Sequence, residues 1–254
     1  MKTMLAVACG AMLAAAAPAP APARQADTPL AFTTMVKVAV DEAGRPGAVE
    51  AMAPLPGPVR DFVEARTREL EFQPAMIDGH ARGGVTYVVM GVCAIPDGGQ
   101  MRMAAEYRNN GPGRAGGVPY PDPPRYPVDA LKRGWGADMT IRYTVGEDGS
   151  ATLDKVDFNG EGQRGTGIFE RMAREWVGGM RLLPEEVDGQ PVSTPVSMPL
   201  ELTVGRSGTR AAREMLEAAR RSWVDQPECL AAERPSGQAV AAQSPFVVRE
   251  ADAG

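Results

Sequence analysis

Met139-Thr140-Ile141-Arg142-Tyr143-Thr144-Val145, followed at once by Gly146-Glu147-Asp148-Gly149, is the stretch that decides the fold. Its odd positions are apolar and its even positions polar, the two-residue period of a strand with one face on a core. A turn of glycine and aspartate then sends the chain back as a hairpin. The same reading applies, with less contrast, to Val36-Lys37-Val38-Ala39-Val40 and its turn Asp41-Glu42-Ala43-Gly44.

Working outward, each strand and turn is followed by a helical pattern. Phe169, Met172, Ala173, Trp176 and Met180 recur at helical spacing, with Thr166 predicted as N-cap and Gly178-Gly179 as the stop. In the earlier segment Pro58 suits a first turn, and Val59, Phe62, Val63 and Leu70 share one side. Each helix leads to a proline and, five residues on, a glycine: Pro74 to Gly79, and Pro184 to Gly189. A strand closes each copy, Gly84–Val92 and Val192–Val204. The order strand, strand, helix, strand therefore occurs twice, about 105–110 residues apart, which predicts an internal duplication.

Between the copies, 13 of the 33 residues from Ile95 to Pro127 are glycine or proline. That density predicts an irregular linker, assigned to residues 96–123. Beyond the second copy, residues 205–254 read as an amphipathic helix and a mobile tail. The helix, Thr209–Gln226, has Ala212, Met215, Leu216, Ala219 and Trp223 on one face; its arginines Arg210, Arg213, Arg220 and Arg221 are offset by Glu214, Glu217 and Asp225. The tail from Glu233 onward has little periodicity.

At the other end, Lys2, the apolar run Met4–Ala17 and Ala21-Pro22-Ala23 make the three parts of a secretory signal, so residues 1 to about 23 are expected to be removed on export. The apolar run is short for a membrane span, which needs roughly 20 residues. Retention of residues 1–23 as an inner-membrane anchor is the alternative. Removing Lys2 leaves 26 basic side chains against 32 acidic ones. With no basic block, nucleic acid is excluded as the expected partner. Two cysteines remain after export, Cys93 and Cys229, and an even pair in an oxidising compartment predicts a disulfide, with two buried thiols as the alternative.

Residues with chemical potential are few. The single histidine, His80, follows Asp78-Gly79 in a loop and has no evident orienting partner, so it reads as solvated. Glu185, Glu186 and Asp188 lack calcium-loop spacing and read as a solvated loop. No G-x-S-x-G, H-E-x-x-H, C-x-x-C or phosphate-loop pattern occurs. No cofactor, metal or small-molecule substrate is expected. A periplasmic enzyme of unrecognised type is the alternative from another class.

Pro124-Arg125-Tyr126-Pro127-Val128-Asp129-Ala130, Gly136, the strand to Val145, the Asp148-Gly149 turn, the Trp176 helix, Pro184 and the closing strand together resemble the TonB C-terminal domain. The likeness covers residues 124–204 and, more weakly, 30–95. It implies an α+β fold of two small modules, each an antiparallel three-stranded sheet with one packed helix. It also implies a non-enzymatic, periplasmic role through contacts with envelope proteins, among them outer-membrane transporters. A membrane-anchored energy transducer is the alternative within transport. Two family features are missing: Met4–Ala17 has no histidine, and Pro18–Pro22 is only a stub of the usual proline-rich spacer. The position of the family's transporter-contacting glutamine is occupied by Pro123.

Pro124, Tyr126, Pro127 and Trp135 are the candidate partner contacts, with packing over the sheet as the alternative for the aromatics. In the closing strand Pro191, Pro195 and Pro199 recur every fourth residue, which would blunt one edge and make this strand the sheet border. Val192, Thr194, Val196, Met198, Leu200 and Leu202 would line its buried face. Capture of a partner strand, the family's mode at this edge, would then fall to the proline-free Gly84–Val92.

Overall fold

The computed structural model describes residues 30–97, 100–119, 121–160, 163–204 and 240–249. The chain begins with β1 (Leu30–Val40), β2 (Pro46–Ala51), helix α1 (Gly57–Arg68) and three short strands, β3 (Phe72–Gln73), β4 (Ala75–Ile77) and β5 (His80–Arg82). The long strands β6 (Gly84–Asp97) and β7 (Gln100–Gly111) follow. A 3-10 turn at Ala115–Gly117 and helix α2 (Val128–Arg133) precede β8 (Ala137–Val145), β9 (Ala151–Phe158) and helix α3 (Thr166–Gly178). Strands β10 (Glu185–Val187), β11 (Gln190–Val192), β12 (Thr194–Leu202), β13 (Ala241–Ala242) and β14 (Val247–Val248) complete the order. The fold is mixed α+β, with antiparallel sheets and three α-helices among the described residues. None of these helices is long and apolar enough to cross a membrane.

The alternation read from the sequence places side chains as expected. Ala137, Met139, Ile141, Tyr143 and Val145 of β8 are buried, and Thr194, Val196 and Met198 of β12 share that buried side. Phe169, Met172, Ala173 and Val177 of α3 close the core over them. The larger of these, Met139, Ile141, Val145, Phe169 and Val177, each contribute about 1.5–3 kcal/mol by leaving water. Thr166 is the first helical residue rather than the cap; Gly165, at φ 73°, takes the N-cap position and supplies no side-chain hydrogen bond. A second core gathers Val36, Val38 and Val40 of β1, Val63 of α1, Phe72, and Val88, Met90 and Val92 of β6.

Both hairpin turns close in the same way. Gly44 (φ 80°) and Gly149 (φ 75°) lie under the segment that follows each helix, and their carbonyls accept hydrogen bonds from Phe72 N (2.8 Å) and Leu182 N (2.9 Å). A Cβ at these glycines would lie 1.9 Å from Phe72 O and 2.2 Å from Leu182 O. Only glycine meets both demands, the left-handed backbone and the close approach.

The sheets are larger than the sequence led us to expect. The first is ordered β11-β10-β6-β1-β2, with β7 also paired to β6; the second is β13-β12-β8-β9. Neither is three-stranded. The expected linker 96–123 is corrected by β7, whose residues Gln100–Gly111 pair with Tyr87–Asp97. Glycine and proline cluster at the ends of that span, and the stretch between them is strand. The expectation that Gly84–Val92 captures a partner strand is also overturned: β6 has β1 on one side and β7 with β10 on the other.

The proline-bearing closing strand divides. Pro191 belongs to β11, while Pro195 and Pro199 lie in β12. Pro195 O faces away from β8 and accepts from Gln243 N at 2.9 Å. The prolines of β12 thus point to its outer side, but that side carries β13 at Val196 and Ser197 and is not bare there. The tail read as mobile is likewise corrected over residues 240–249, where β13 and β14 form and Phe246 is fully buried. The signal segment 1–23, the third helix and Cys229 lie outside the described residues.

Candidate functional site

The most unusual chemistry in the fold is a carboxylate inside it. After Pro184 the strand β10 alternates inward and outward, so Glu185 shares the buried face with Val187. Glu185 is 0 % exposed. Its Oε1 accepts from Thr86 Oγ1 at 2.6 Å and from Ser244 Oγ at 2.5 Å, and its Oε2 accepts from Thr194 Oγ1 at 3.0 Å. The three hydroxyls come from β6, from the segment between β13 and β14, and from β12. The carboxylate therefore ties three distant parts of the chain to one point.

A second ring supports the first. Asn110 Nδ2, at the end of β7, reaches Thr86 Oγ1 (3.1 Å), Ser244 Oγ (2.9 Å) and Phe246 O (2.7 Å). Tyr107 Oη donates to Asn110 Oδ1 at 2.7 Å and fixes which way the amide points. Ser244 Oγ also accepts from Phe246 N at 3.1 Å. Burial pushes the Glu185 carboxyl above its ordinary value, and the hydroxyls only partly offset that. Burial likewise raises the Tyr107 phenol to about 12, and the Glu185 charge adds to the rise. No ion pair to Glu185 is found among the described residues; its recorded partners are neutral hydroxyls. Burial thus disfavours the charged form of Glu185, and the hydroxyls that satisfy its oxygens tie together the elements that surround it.

Sequence reasoning took Glu185 for a solvated residue and left Ser244 and Phe246 in a mobile tail. Both signals were available: Glu185 has the parity of Val187 in a strand, and Phe246-Val247-Val248 is an apolar run in an otherwise polar tail.

The candidate partner residues fall in two settings. Tyr126 and Trp135 come together, with Tyr126 Oη donating to Trp135 O at 2.6 Å and its ring standing edge-on to Phe169 at 6.3 Å. Both pack against the core between β8 and α3, and the Arg133 guanidinium lies 4.8 Å from the Trp135 ring centre. Pro127 is the N-cap of α2 and Pro124 is buried. Pro124 also lines an open cleft of about 600 Å³ between residues 121–125 and α3, where Trp176 Nε1 donates to Asp122 O at 2.8 Å. In α2, which follows residues 121–125 in the chain, Val128 and Leu131 are 62 % and 52 % exposed, one helical turn apart. His80 is exposed at the start of β5. Glu186 and Asp188 stay at or near the surface, and Asp188 reaches Arg82 at 4.0 Å. Cys93 is buried in β6, opposite Ala31 and Ala104. No protein-family model and no curated protein matches the chain.

Proposed function

We propose that this chain is an exported, non-enzymatic protein of TonB C-terminal-domain type, acting in the periplasm by contact with envelope proteins. The observation that carries the reading is the order β8, β9, α3, β12, in which β8 is the middle of three strands and α3 packs over them. The weaker counterpart is β1, β2, α1, β6, with β1 in the middle. Two β-β-α-β modules, each extended by additional strands, belong to the same proposal. Partners would meet the exposed pair Val128 and Leu131 beside the Tyr126-Pro127 opening, where large apolar side chains have no cover among the described residues. The outer backbone edge of β9, which ends its sheet, offers main-chain groups for strand addition, whereas that of β2 is covered by α1, with Ala51 N donating to Glu64 and Arg68 donating to Val49 O.

Affinity capture from an envelope extract tests this. The intact chain should retain specific envelope proteins, and Val128→Asp with Leu131→Asp should lose them while the melting curve is unchanged. Retention that is indifferent to both substitutions would refute the surface, and failure to retain any envelope protein would refute the role. The mass of the mature protein separates the exported form, shortened by residues 1 to about 23, from an anchored energy transducer with Met1 intact.

A further inference from the structure

The described C-terminal segment, Val240–Arg249, is seated across two sheets through features that the rest of the chain supplies. At one end Ala241 and Ala242 extend the second sheet beside Ser197 and Val196, and Gln243 N donates to Pro195 O. At the other end Val247 and Val248 pair with Gln73 and Phe72, and Arg249 N donates to Glu71 O at 2.8 Å. Between these ends Ser244 reaches the buried Glu185 carboxylate, Asn110 holds Phe246 O, and Phe246 joins the core of Val36, Phe72 and Val88.

Two glycines make room for the segment. A Cβ at Gly111 would lie 2.5 Å from Ala242 Cβ, and one at Gly84 would lie 2.8 Å from Phe246 Cζ as well as 1.8 Å from Glu186 O of β10, so Gly84 serves both the Phe246 ring and the pairing with β10. The seat thus combines strand edges, a polar lock and an aromatic socket. These are the elements of recognition of an extended peptide, with main-chain pairing for affinity and side-chain pockets for selectivity.

We propose that the junction of the two sheets is a peptide-binding seat and that Val240–Arg249 is its resident ligand. The seat selects an extended segment carrying a hydroxyl residue two positions before an aromatic one, as in Ser244-Pro245-Phe246. The hydroxyl is read by Glu185 and Asn110, which sit fixed by Thr86, Thr194 and Tyr107. The aromatic ring is read by the socket between β6 and Phe72. The inference deepens the interaction role and rests on it for any partner in trans, whereas the seat itself is testable without an envelope protein.

The test uses the full chain with a protease site introduced between residues 205 and 239. After cleavage the C-terminal fragment should stay bound through gel filtration. A fluorescent peptide of the sequence Val240–Arg249 should exchange into the cut protein and not into the uncut one. The peptide with Phe246→Ala should bind at least about 100-fold more weakly, and that with Ser244→Ala about 10-fold more weakly. Loss of the fragment on cleavage, unfolding of the cut protein, absence of exchange at excess peptide, or equal binding of the Phe246→Ala peptide would each overturn the proposal. A seat that behaves as expected alongside an empty envelope capture would leave the seat standing and remove only the envelope role.

Discussion

The hairpins β4–β5 and β10–β11 occupy the same place in the chain order, each after a helix and a proline, and each turns on an Asp-Gly pair. Asp78 and Asp188 have φ 52° and 55°, and Gly79 and Gly189 have φ 79° and 74°, a turn whose twist matches that of the paired strands. Yet the first forms a two-stranded ribbon of its own, while the second joins β6 as part of the larger sheet. The first strand position holds Ala75 in one hairpin and Glu185 in the other, and both are buried. One local design thus takes two tertiary roles, and the two hairpins differ in the side chain at their shared inward position. Ala75 fills a core; Glu185 gathers hydroxyls from three other elements.

Exchanging that inward residue should have the largest effect. Ala75→Glu would place a carboxylate in an apolar core beside Val63 and Phe72, and it should cost about 3–5 kcal/mol, as an uncompensated buried charge does. Urea unfolding would measure it. A loss below about 1 kcal/mol would mean that the first hairpin can recruit partners as the second does.

The proton on Glu185 sharpens the same contrast. Because burial raises this carboxyl, the folded chain holds a proton that the unfolded chain has already released. Its contribution to stability is therefore complete below the ordinary value of 4.5 and is lost as pH rises through the raised one. Glu185→Gln keeps an acceptor toward the hydroxyls and cannot ionise. The difference in stability between wild type and this variant should change with pH over that window and be flat elsewhere. Parallel stability curves across the window would show that Glu185 does not titrate on folding.

The two hairpin turns under the post-helix segments should respond alike. Gly44→Ala and Gly149→Ala each force a left-handed alanine, worth about 1–2 kcal/mol before the close approach to Phe72 O or Leu182 O is relieved. Thermal melts of the two variants should shift downward together. A shift in one alone would argue that only that turn keeps its packing under the helix.

The smallest effect is expected where the two hairpins face one another. Arg82 of β5 and Asp188 of the β10–β11 turn are 4.0 Å apart with both side chains substantially exposed. Arg82→Ala should alter stability by no more than about 0.5 kcal/mol, because water and salt screen such a pair. A clearly larger loss would assign the pair a part in docking the hairpins.

The amino-acid sequence alone determined the strand-turn-helix-strand order of each half of the chain. Alternation in Met139–Val145 specified the faces of β8, the helical spacing of Phe169, Met172 and Ala173 specified the face of α3, and the Gly44 and Gly149 turns followed from glycine chemistry. These are short-range consequences of backbone geometry and side-chain period. Pairing between distant segments was decided only in the tertiary structure: β7 inside a glycine- and proline-bounded span, the hairpin β10–β11 beside β6, and β13 along the outer side of β12. Glu185 belongs with them. A glutamate beside a turn is ordinarily solvated, and its burial became tolerable only because Thr86, Thr194 and Ser244, separated by up to 158 positions between the first and last, converge on it in space. Periodicity reports which face a residue takes. Convergence of partners from remote parts of the chain has no local signature, because it depends on how the sheets pack.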